Sequence, residues 1–189
     1  MSAQDPKPGQ AHRPSKPAPP PEGAEPSRGR LFLVDDNPLT VNMLDQFLTR
    51  QGFEVATSTD PTEALHADLP FVPEVVVLDA MMPGMSGFEF AGVLKEALGA
   101  GIRIVMLTAL RRDVDREHAL KAGVDVYLTK PIKPGELLEA VEEQLRIARE
   151  GRAGRVLEEL ARILAGQGTP GEKVQAAAGL LTREGYTRP

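Results

Sequence analysis

Between residues 31 and 128, short apolar runs alternate with longer segments of helical periodicity, and this alternation leaves few folds open to the chain. We predict strands at residues 31–35, 54–58, 75–78, 103–107 and 126–128. We predict helices near residues 39–50, 61–69, 86–98, 113–121 and 135–149. Strands separated by helices of about 10–15 residues indicate a parallel sheet with helices on both faces. Residues 30–150 are therefore expected to form one doubly wound α/β domain.

Two local features agree with this prediction. The runs at residues 75–78 (VVVL) and 104–107 (IVML) are continuously apolar, as is typical of central strands covered on both faces. Gly52 and Gly123 stand where a preceding helix would need a residue in the left-handed conformation at its C-terminal end. Strand and helix ends are thus both marked in the sequence.

The two ends of the chain have a different character. Residues 1–29 hold eight of the 17 prolines and few large apolar side chains, so we expect a disordered leader. After residue 150, Gly151 and Gly154 are expected to interrupt the preceding helix. Residues 151–189 then read as an extension of two short helices, with Thr169 and Pro170 marking the start of the second.

Composition narrows the function classes. The chain has no cysteine, which excludes disulfides and thiolate metal sites and fits a cytoplasmic protein. No apolar run approaches the roughly 20 residues of a membrane span, so no membrane partner is expected. The net charge is −8 over residues 30–150 and +2 over residues 151–189. An acidic domain is a poor surface for nucleic acid, which is therefore an unlikely partner.

Polar side chains stand at the carboxyl ends of four predicted strands. Asp35 and Asp36 follow the first strand, Asp79 the third, Thr108 the fourth and Lys130 the fifth. In an open parallel sheet, ligands bind beyond these strand ends, where the strand order reverses. Three carboxylates, a hydroxyl and an ammonium are therefore expected to meet at one edge of the sheet.

These residue types suit phosphoryl transfer. Clustered carboxylates repel one another unless a cation neutralises them, and Mg²⁺ suits a site with few protein ligands. One carboxylate can act as the nucleophile and form an aspartyl phosphate. Lys130 and the Thr108 hydroxyl can contact the phosphoryl oxygens. The sequence therefore predicts a magnesium-dependent phosphorylation site.

The residues that carry this chemistry resemble a known family. Four stretches are characteristic in this order and spacing: VDDN at 34–37, VVVLDAMMPGMSGFE at 75–89, IVMLTA at 104–109 and YLTKP at 127–131. They resemble the receiver domain of bacterial two-component response regulators, over about residues 30–150. The resemblance implies a flavodoxin-like, five-stranded parallel sheet in the order 2-1-3-4-5, as in the CheY-like superfamily.

The resemblance also implies individual roles. Asp79 matches the phosphoacceptor, and Lys130 and Thr108 match the pair that contacts the phosphoryl group. The metal ligands would be carboxylates and one main-chain carbonyl, from Asp35, Asp36, Asp79 and Met81. Tyr127 matches the aromatic residue that moves with Thr108 on activation. The bond between Lys130 and Pro131 is expected to be cis. Met81 and Leu110 match positions that influence hydrolysis, and because both are apolar we expect a long-lived phosphoryl group.

The expected function is that of a signalling switch rather than an enzyme with a separate substrate. The phosphoryl donor would be a histidine kinase or a histidine phosphotransfer protein, and the output a contact with a downstream protein or a homodimer formed on activation. The 39 residues after position 150 are too few for the usual effector domains. The alternative is a DNA-binding regulator that uses residues 151–189 as an abbreviated helix-turn-helix.

Overall fold

The computed structural model describes residues 27–109 and 121–185. Within them, five strands form one parallel sheet in the order β2-β1-β3-β4-β5, which confirms the expected fold class. The strands are β1 (Arg30–Val34), β2 (Glu54–Ser58), β3 (Val75–Asp79), β4 (Arg103–Thr108) and β5 (Val126–Thr129). Three expectations fall on residues outside the described ranges: the disordered leader up to residue 26, the helix near 113–121 apart from its last residue, and the role of Leu110.

Helices connect these strands and continue beyond the sheet. They are α1 (Pro38–Arg50), α2 (Pro61–Leu65), α3 (Gly87–Leu98), α4 (Pro134–Ala165) and α5 (Pro170–Arg183), and a short 3-10 turn (Gly99–Gly101) follows α3. Gly52 and Gly123 have φ angles of 89° and 80°, which confirms the left-handed conformation expected at both positions. None of the helices in the described ranges is both long enough and apolar enough to cross a membrane.

The side chains of the sheet alternate between two apolar cores. Leu31 and Leu33 of β1 lie in the core that also contains residues of α1 and α4, such as Leu44 and Val141. The intervening Phe32 joins the opposite core, which contains residues of α2 and α3. All five residues of β3 are buried, because this strand lies at the centre of the sheet and is covered on both faces. Each fully buried large aliphatic or aromatic side chain contributes about 1.5–3 kcal/mol to folding.

Helix α2 is shorter than predicted. It ends at Leu65, whereas helical periodicity extended to residue 69. Pro70 follows Leu69 directly, and a proline disfavours the helical conformation in the residue before it. Leu69 and Phe71 nevertheless pack against the core as partly buried side chains, which explains why the apolar pattern continues past the helix end.

The chain divides into two compact units, the first up to Leu145 and the second from Arg146. The expected interruption at Gly151 and Gly154 is wrong, because α4 runs without a break to Ala165. A glycine inside a helix costs only about 1 kcal/mol relative to alanine, and the strong helix formers around these two positions outweigh that cost. The second helix of the predicted extension is present as α5, with Thr169 as its N-cap and Glu172 completing a capping box.

Candidate functional site

The carboxyl ends of four adjacent strands form the candidate site. Asp35 directly follows β1, and Asp79 is the last residue of β3, the neighbouring strand. Thr108 ends β4, where it pairs with Thr129 of β5, and Lys130 comes next. Because all of these strands are parallel, their carboxyl ends meet at one edge of the sheet, as the sequence predicted.

Three carboxylates cluster at this edge. One oxygen each from Asp35, Asp36 and Asp79 lies within 4.8 Å of the other two. Asp35 and Asp79 are buried, while Asp36 is exposed to solvent. Such a separation allows one cation to contact all three groups, and oxygen atoms are the ligands that hard divalent cations prefer. Because two of the carboxylates are buried, leaving their negative charges without a nearby cation would cost free energy of folding.

Lys130 provides the positive charge of the site. Its Nζ atom lies 2.6 Å from Oδ1 of Asp79 and 2.9 Å from Oδ2 of Asp35. Burial lowers the pKa of the Lys130 ammonium, but its hydrogen bonds to Asp79 and Asp35 outweigh burial, so that pKa lies above its usual value. With every group ionised, the three carboxylates and Lys130 carry a formal charge of −2. A divalent cation would neutralise that charge, so the residues present fit a hard divalent metal ion.

Burial also acts on the central carboxylate. It raises the pKa of Asp79, and Lys130 partly offsets this effect through a hydrogen bond and its charge. The neighbouring Asp35 charge raises the pKa of Asp79 further, while the Met81 amide N–H, which donates to Oδ2 of Asp79 at 3.1 Å, lowers it. Asp79 is therefore held on both oxygens, by Lys130 on one and by the backbone of Met81 on the other.

The loop after β1 holds the other buried carboxylate. The backbone N–H of Asn37 donates to Oδ1 of Asp35 at 2.9 Å. The Asn37 side chain in turn accepts hydrogen bonds from the N–H groups of Leu39 and Thr40, and so caps α1. Asp35 thus receives Lys130 on one oxygen and the Asn37 N–H on the other. No role for Asn37 was predicted from the sequence, although an asparagine before a proline at a predicted helix start indicates a cap.

Gly87 is a second residue whose role sequence reasoning missed. A Cβ atom at this position would lie 2.1 Å from the main-chain oxygen of Asp79, which is closer than any atom can approach without movement. The Gly87 N–H also donates to the oxygen of Ala80 at 3.0 Å. The start of α3 is therefore packed directly against the backbone that carries Asp79. A capping box of Ser86 and Glu89 begins the same helix.

Thr108 and Tyr127 differ in their surroundings. Thr108 is fully buried, and its main-chain oxygen accepts a hydrogen bond from the Lys130 N–H at 2.6 Å. Tyr127 is half-buried and packs against the core that contains residues of α3. The peptide bond between Lys130 and Pro131 is cis, as expected. Met81 is 58% exposed, although its backbone N–H donates to Asp79.

Comparisons with known proteins agree with this geometry. The family model described as the response regulator receiver domain matches residues 31–142. Among curated proteins, the DNA-binding response regulator MtrA of Mycolicibacterium smegmatis is 41% identical over 119 residues, which cover 63% of this chain and 51% of MtrA. The chain thus spans about half the length of the curated relatives it matches first.

Solved structures give the same result. A CheY-like response regulator receiver domain protein from Methanospirillum hungatei matches with a TM-score of 0.61 and 27% identity, over 65% of this chain and 98% of that one. The BeF3-activated receiver domain of DrrB, a Thermotoga maritima protein, matches with a TM-score of 0.57 and 30% identity, over 62% of this chain and 97% of that one. Because MtrA is named as DNA-binding, the comparisons do not support our expectation that nucleic acid is an unlikely partner.

Proposed function

The chain belongs to the response regulator receiver family, and from this premise we propose that Asp79 accepts a phosphoryl group from a phosphohistidine and so switches the protein between two states. The observation that carries the proposal is the position of the Asp79 carboxylate between two further carboxylates and Lys130. A carboxylate that has an ammonium beside it, together with further acids able to hold a cation, suits an in-line attack on phosphorus, because that reaction depends mainly on positioning and charge.

Each group around Asp79 has a separate proposed role in phosphoryl transfer. A carboxylate oxygen of Asp79 attacks the phosphorus, the bond from phosphorus to the donor nitrogen breaks, and the leaving imidazole takes a proton from solvent. Lys130 stabilises the charge on a phosphoryl oxygen, and Asp35 holds the Lys130 ammonium in place. The Thr108 hydroxyl is proposed to donate to another phosphoryl oxygen. Attack requires the ionised carboxylate, so the influence of Lys130 opposes the protonation that burial of Asp79 favours.

Mg²⁺ is the proposed metal ion. Asp35, Asp36 and Asp79 would hold it together with the main-chain carbonyl of Met81. When bound, the ion supplies positive charge to the phosphoryl oxygens. The support for this assignment is the oxygen-only donor set and its formal charge, together with the exposure of Asp36, which leaves room for water ligands.

Phosphorylation is proposed to act on Thr108 and Tyr127. The added phosphoryl charge favours an arrangement in which Thr108 moves toward it and the half-buried Tyr127 turns inward. Thr108 and Lys130 are linked through the backbone hydrogen bond between them, so a change at the phosphoryl group reaches both strand ends. Apart from its own phosphorylation and the hydrolysis of the aspartyl phosphate, we propose no reaction for this chain.

The phosphoryl donor is proposed to be a histidine kinase or a histidine phosphotransfer protein. Leu39 and Met43 lie on one side of α1, four residues apart, and are 78% and 61% exposed. The helix begins just after Asp36, so these apolar side chains stand next to the route by which a donor protein must approach Asp79. Exposed apolar residues beside a reactive group are typical of a protein contact.

DNA binding is the second candidate output, and the observation in its favour is that MtrA is named as a DNA-binding protein. In this chain it would require the helices after residue 150, whose net charge of +2 is small for a phosphate backbone. Binding to duplex DNA that weakens steeply as salt rises would support this candidate. No retention of DNA at low salt, with or without phosphorylation, would leave a protein contact as the output.

The proposed phosphorylation can be tested with acetyl phosphate and Mg²⁺, followed by mass spectrometry of the intact chain and of its peptides. We expect one phosphoryl group, located on the peptide that contains Asp79. Asp79→Asn should abolish the modification, because the amide oxygen is a poor nucleophile. Asp68→Asn is the matched control, since Asp68 is exposed and no part of the cluster. Equal labelling of the Asp79 variant and the unaltered protein would contradict the proposal.

A further inference from the structure

The methionines are the most readily oxidised side chains of this protein. The sequence has six of them and neither cysteine nor tryptophan, so no thiol or indole competes for an oxidant. Among the described residues, Met82 and Met106 are buried, and Met85 packs against a core as a partly buried side chain. Met43 and Met81 are 61% and 58% exposed. Because exposure favours oxidation, a dissolved oxidant should react with these two residues first.

Met81 differs from Met43 in its position beside the phosphoacceptor. Its backbone N–H donates to Oδ2 of Asp79 at 3.1 Å, so the two residues are in direct contact. The methionine side chain is long and unbranched, with three rotatable bonds, so its sulfur can approach the Asp79 carboxylate without movement of the backbone. Met43 lies on α1, which contains none of the three clustered carboxylates. Oxidation of Met81, unlike oxidation of Met43, therefore changes the surroundings of Asp79.

A peroxide alone is sufficient to oxidise a methionine thioether. The sulfur donates a lone pair to one oxygen atom of hydrogen peroxide, the O–O bond breaks, and the other oxygen leaves as water. Sulfur is oxidised and the peroxide is reduced, so the reaction needs no further reactant. The product, methionine sulfoxide, is polar, and its oxygen is a much better hydrogen-bond acceptor than the thioether sulfur that it replaces.

We propose that Met81 is a site of oxidation by peroxide, and that its sulfoxide shortens the lifetime of a phosphoryl group on Asp79. The second part rests on the phosphorylation proposed above. A water molecule that donates a hydrogen bond to the sulfoxide oxygen keeps its lone pairs free and is held where it can attack phosphorus. The bond from phosphorus to the Asp79 oxygen then breaks, which releases inorganic phosphate and restores the carboxylate. Oxidation thus returns the switch to its unphosphorylated state.

Mass spectrometry and a decay measurement test the two parts separately. The unphosphorylated full-length protein is treated with hydrogen peroxide, the peroxide is removed, and peptide fragment spectra locate added oxygen on individual methionines. Treated and untreated protein are then phosphorylated with acetyl phosphate and Mg²⁺, the donor is removed, and the half-life of the phosphoryl group is followed. Met81→Leu and Met43→Leu are treated in the same way. Leucine has a similar volume and cannot be oxidised, and both positions are exposed, so both variants should fold.

We expect added oxygen on Met81 and Met43 before Met82 and Met106. Treated protein should lose its phosphoryl group about threefold to tenfold faster than untreated protein, since a held water contributes less than the roughly 100-fold or more of a positioned general base. Compared with its own untreated form, Met43→Leu should show the same acceleration and Met81→Leu should show none. Reduction of the treated protein by methionine sulfoxide reductases should restore the longer half-life.

Three results would overturn the proposal. A Met81 that stays unoxidised while Met43 is oxidised would exclude the site. Equal half-lives before and after oxidation of Met81 would exclude its effect on the phosphoryl group, and so would an equal acceleration in the Met81→Leu variant. A protein that takes up no phosphoryl group on Asp79, treated or untreated, would instead refute the proposed function, and the effect on lifetime would fall with it.

Discussion

The Nζ atom of Lys130 lies 2.6 Å from the Oδ1 atom of Asp79, within a cluster that contains two further carboxylates. The same ammonium contacts Oδ2 of Asp35, so one cation bridges two buried acids from different strands. Asp79 is thereby kept close to an ammonium that can stabilise negative charge on a phosphoryl oxygen.

Replacing Lys130 with methionine should slow phosphorylation of Asp79 by about 100-fold, the usual cost of removing a group that stabilises transition-state charge. Methionine retains much of the apolar stem and removes only the ammonium. The rate of labelling by acetyl phosphate at saturating Mg²⁺ measures the effect. Lys133→Met serves as control, because the Lys133 ammonium pairs with the exposed Glu136 instead. Similar rates for both variants would contradict the role given to Lys130.

Removing the Asp36 carboxylate should weaken Mg²⁺ binding. We expect Asp36→Ala to raise the dissociation constant for Mg²⁺ at least about tenfold. Loss of a group that only orients a metal ligand already lowers metal affinity by that factor, and loss of a direct ligand should lower it no less. Isothermal titration calorimetry of the unphosphorylated protein measures this without reference to activity. Asp68→Ala should bind as the unaltered protein does. If the Asp36 variant retains full affinity, Asp36 is not a ligand, whatever its effect on phosphorylation.

Gly87→Ala should destabilise the first unit. The new methyl group would meet the Asp79 main-chain oxygen at 2.1 Å, so either α3 or the end of β3 must move. Overpacking of this kind costs about 1–3 kcal/mol in free energy of unfolding. Gly92→Ala is the matched control on the same helix, since its methyl group would meet nothing within 4 Å. That control should be neutral or stabilising by up to about 1 kcal/mol. Urea titrations of both variants provide the comparison.

The hydrogen bonds that cap the N-terminus of α5 should weaken when Glu172 is protonated at low pH. Hydrogen bonds from the backbone N–H and hydroxyl of Thr169 hold the pKa of Glu172 below its usual value of 4.5. A carboxylate whose pKa is lowered by folding stabilises the folded state above its unfolded pKa, and this contribution is lost as pH falls through the folded pKa. The Thr169 amide proton, followed by NMR between neutral pH and pH 2, should therefore titrate below 4.5. Glu172→Gln keeps an acceptor oxygen and should abolish that titration. A midpoint at or above 4.5 would disprove the lowered pKa.

The aspartyl phosphate should be long-lived. The apolar Met81 side chain, next to the phosphoacceptor loop, cannot orient a water molecule for attack. We expect a half-life of many minutes or longer for the isolated phosphoprotein, and faster hydrolysis for Met81→Asn, whose amide can hold a water. Met43→Asn, at an exposed position of α1, is the control. Decay of the unaltered phosphoprotein within seconds would contradict this prediction.

Much of the fold and the grouping of the candidate site residues at one edge of the sheet followed from local sequence. The continuous apolar character of residues 75–78 identified a central strand, and it is buried in every position. The residues that end each strand could be assigned to one edge of the sheet because all parallel strands share a direction. The prediction from local sequence was wrong at Gly151 and Gly154, where a helix break was expected. There the helix propensity of the neighbouring residues outweighed the cost of the two glycines, and the helix continues.

Tertiary structure decided which atoms meet. Lys130 and Asp35 are 95 positions apart in sequence, and no local pattern specifies that their side chains lie 2.9 Å apart. The same holds for the contact of Gly87 with the backbone of Asp79. Periodicity and capping depend on residues within a few positions of one another, so sequence alone determines the elements and their polar ends. Distances between elements depend on how whole faces pack, and only the folded chain determines them.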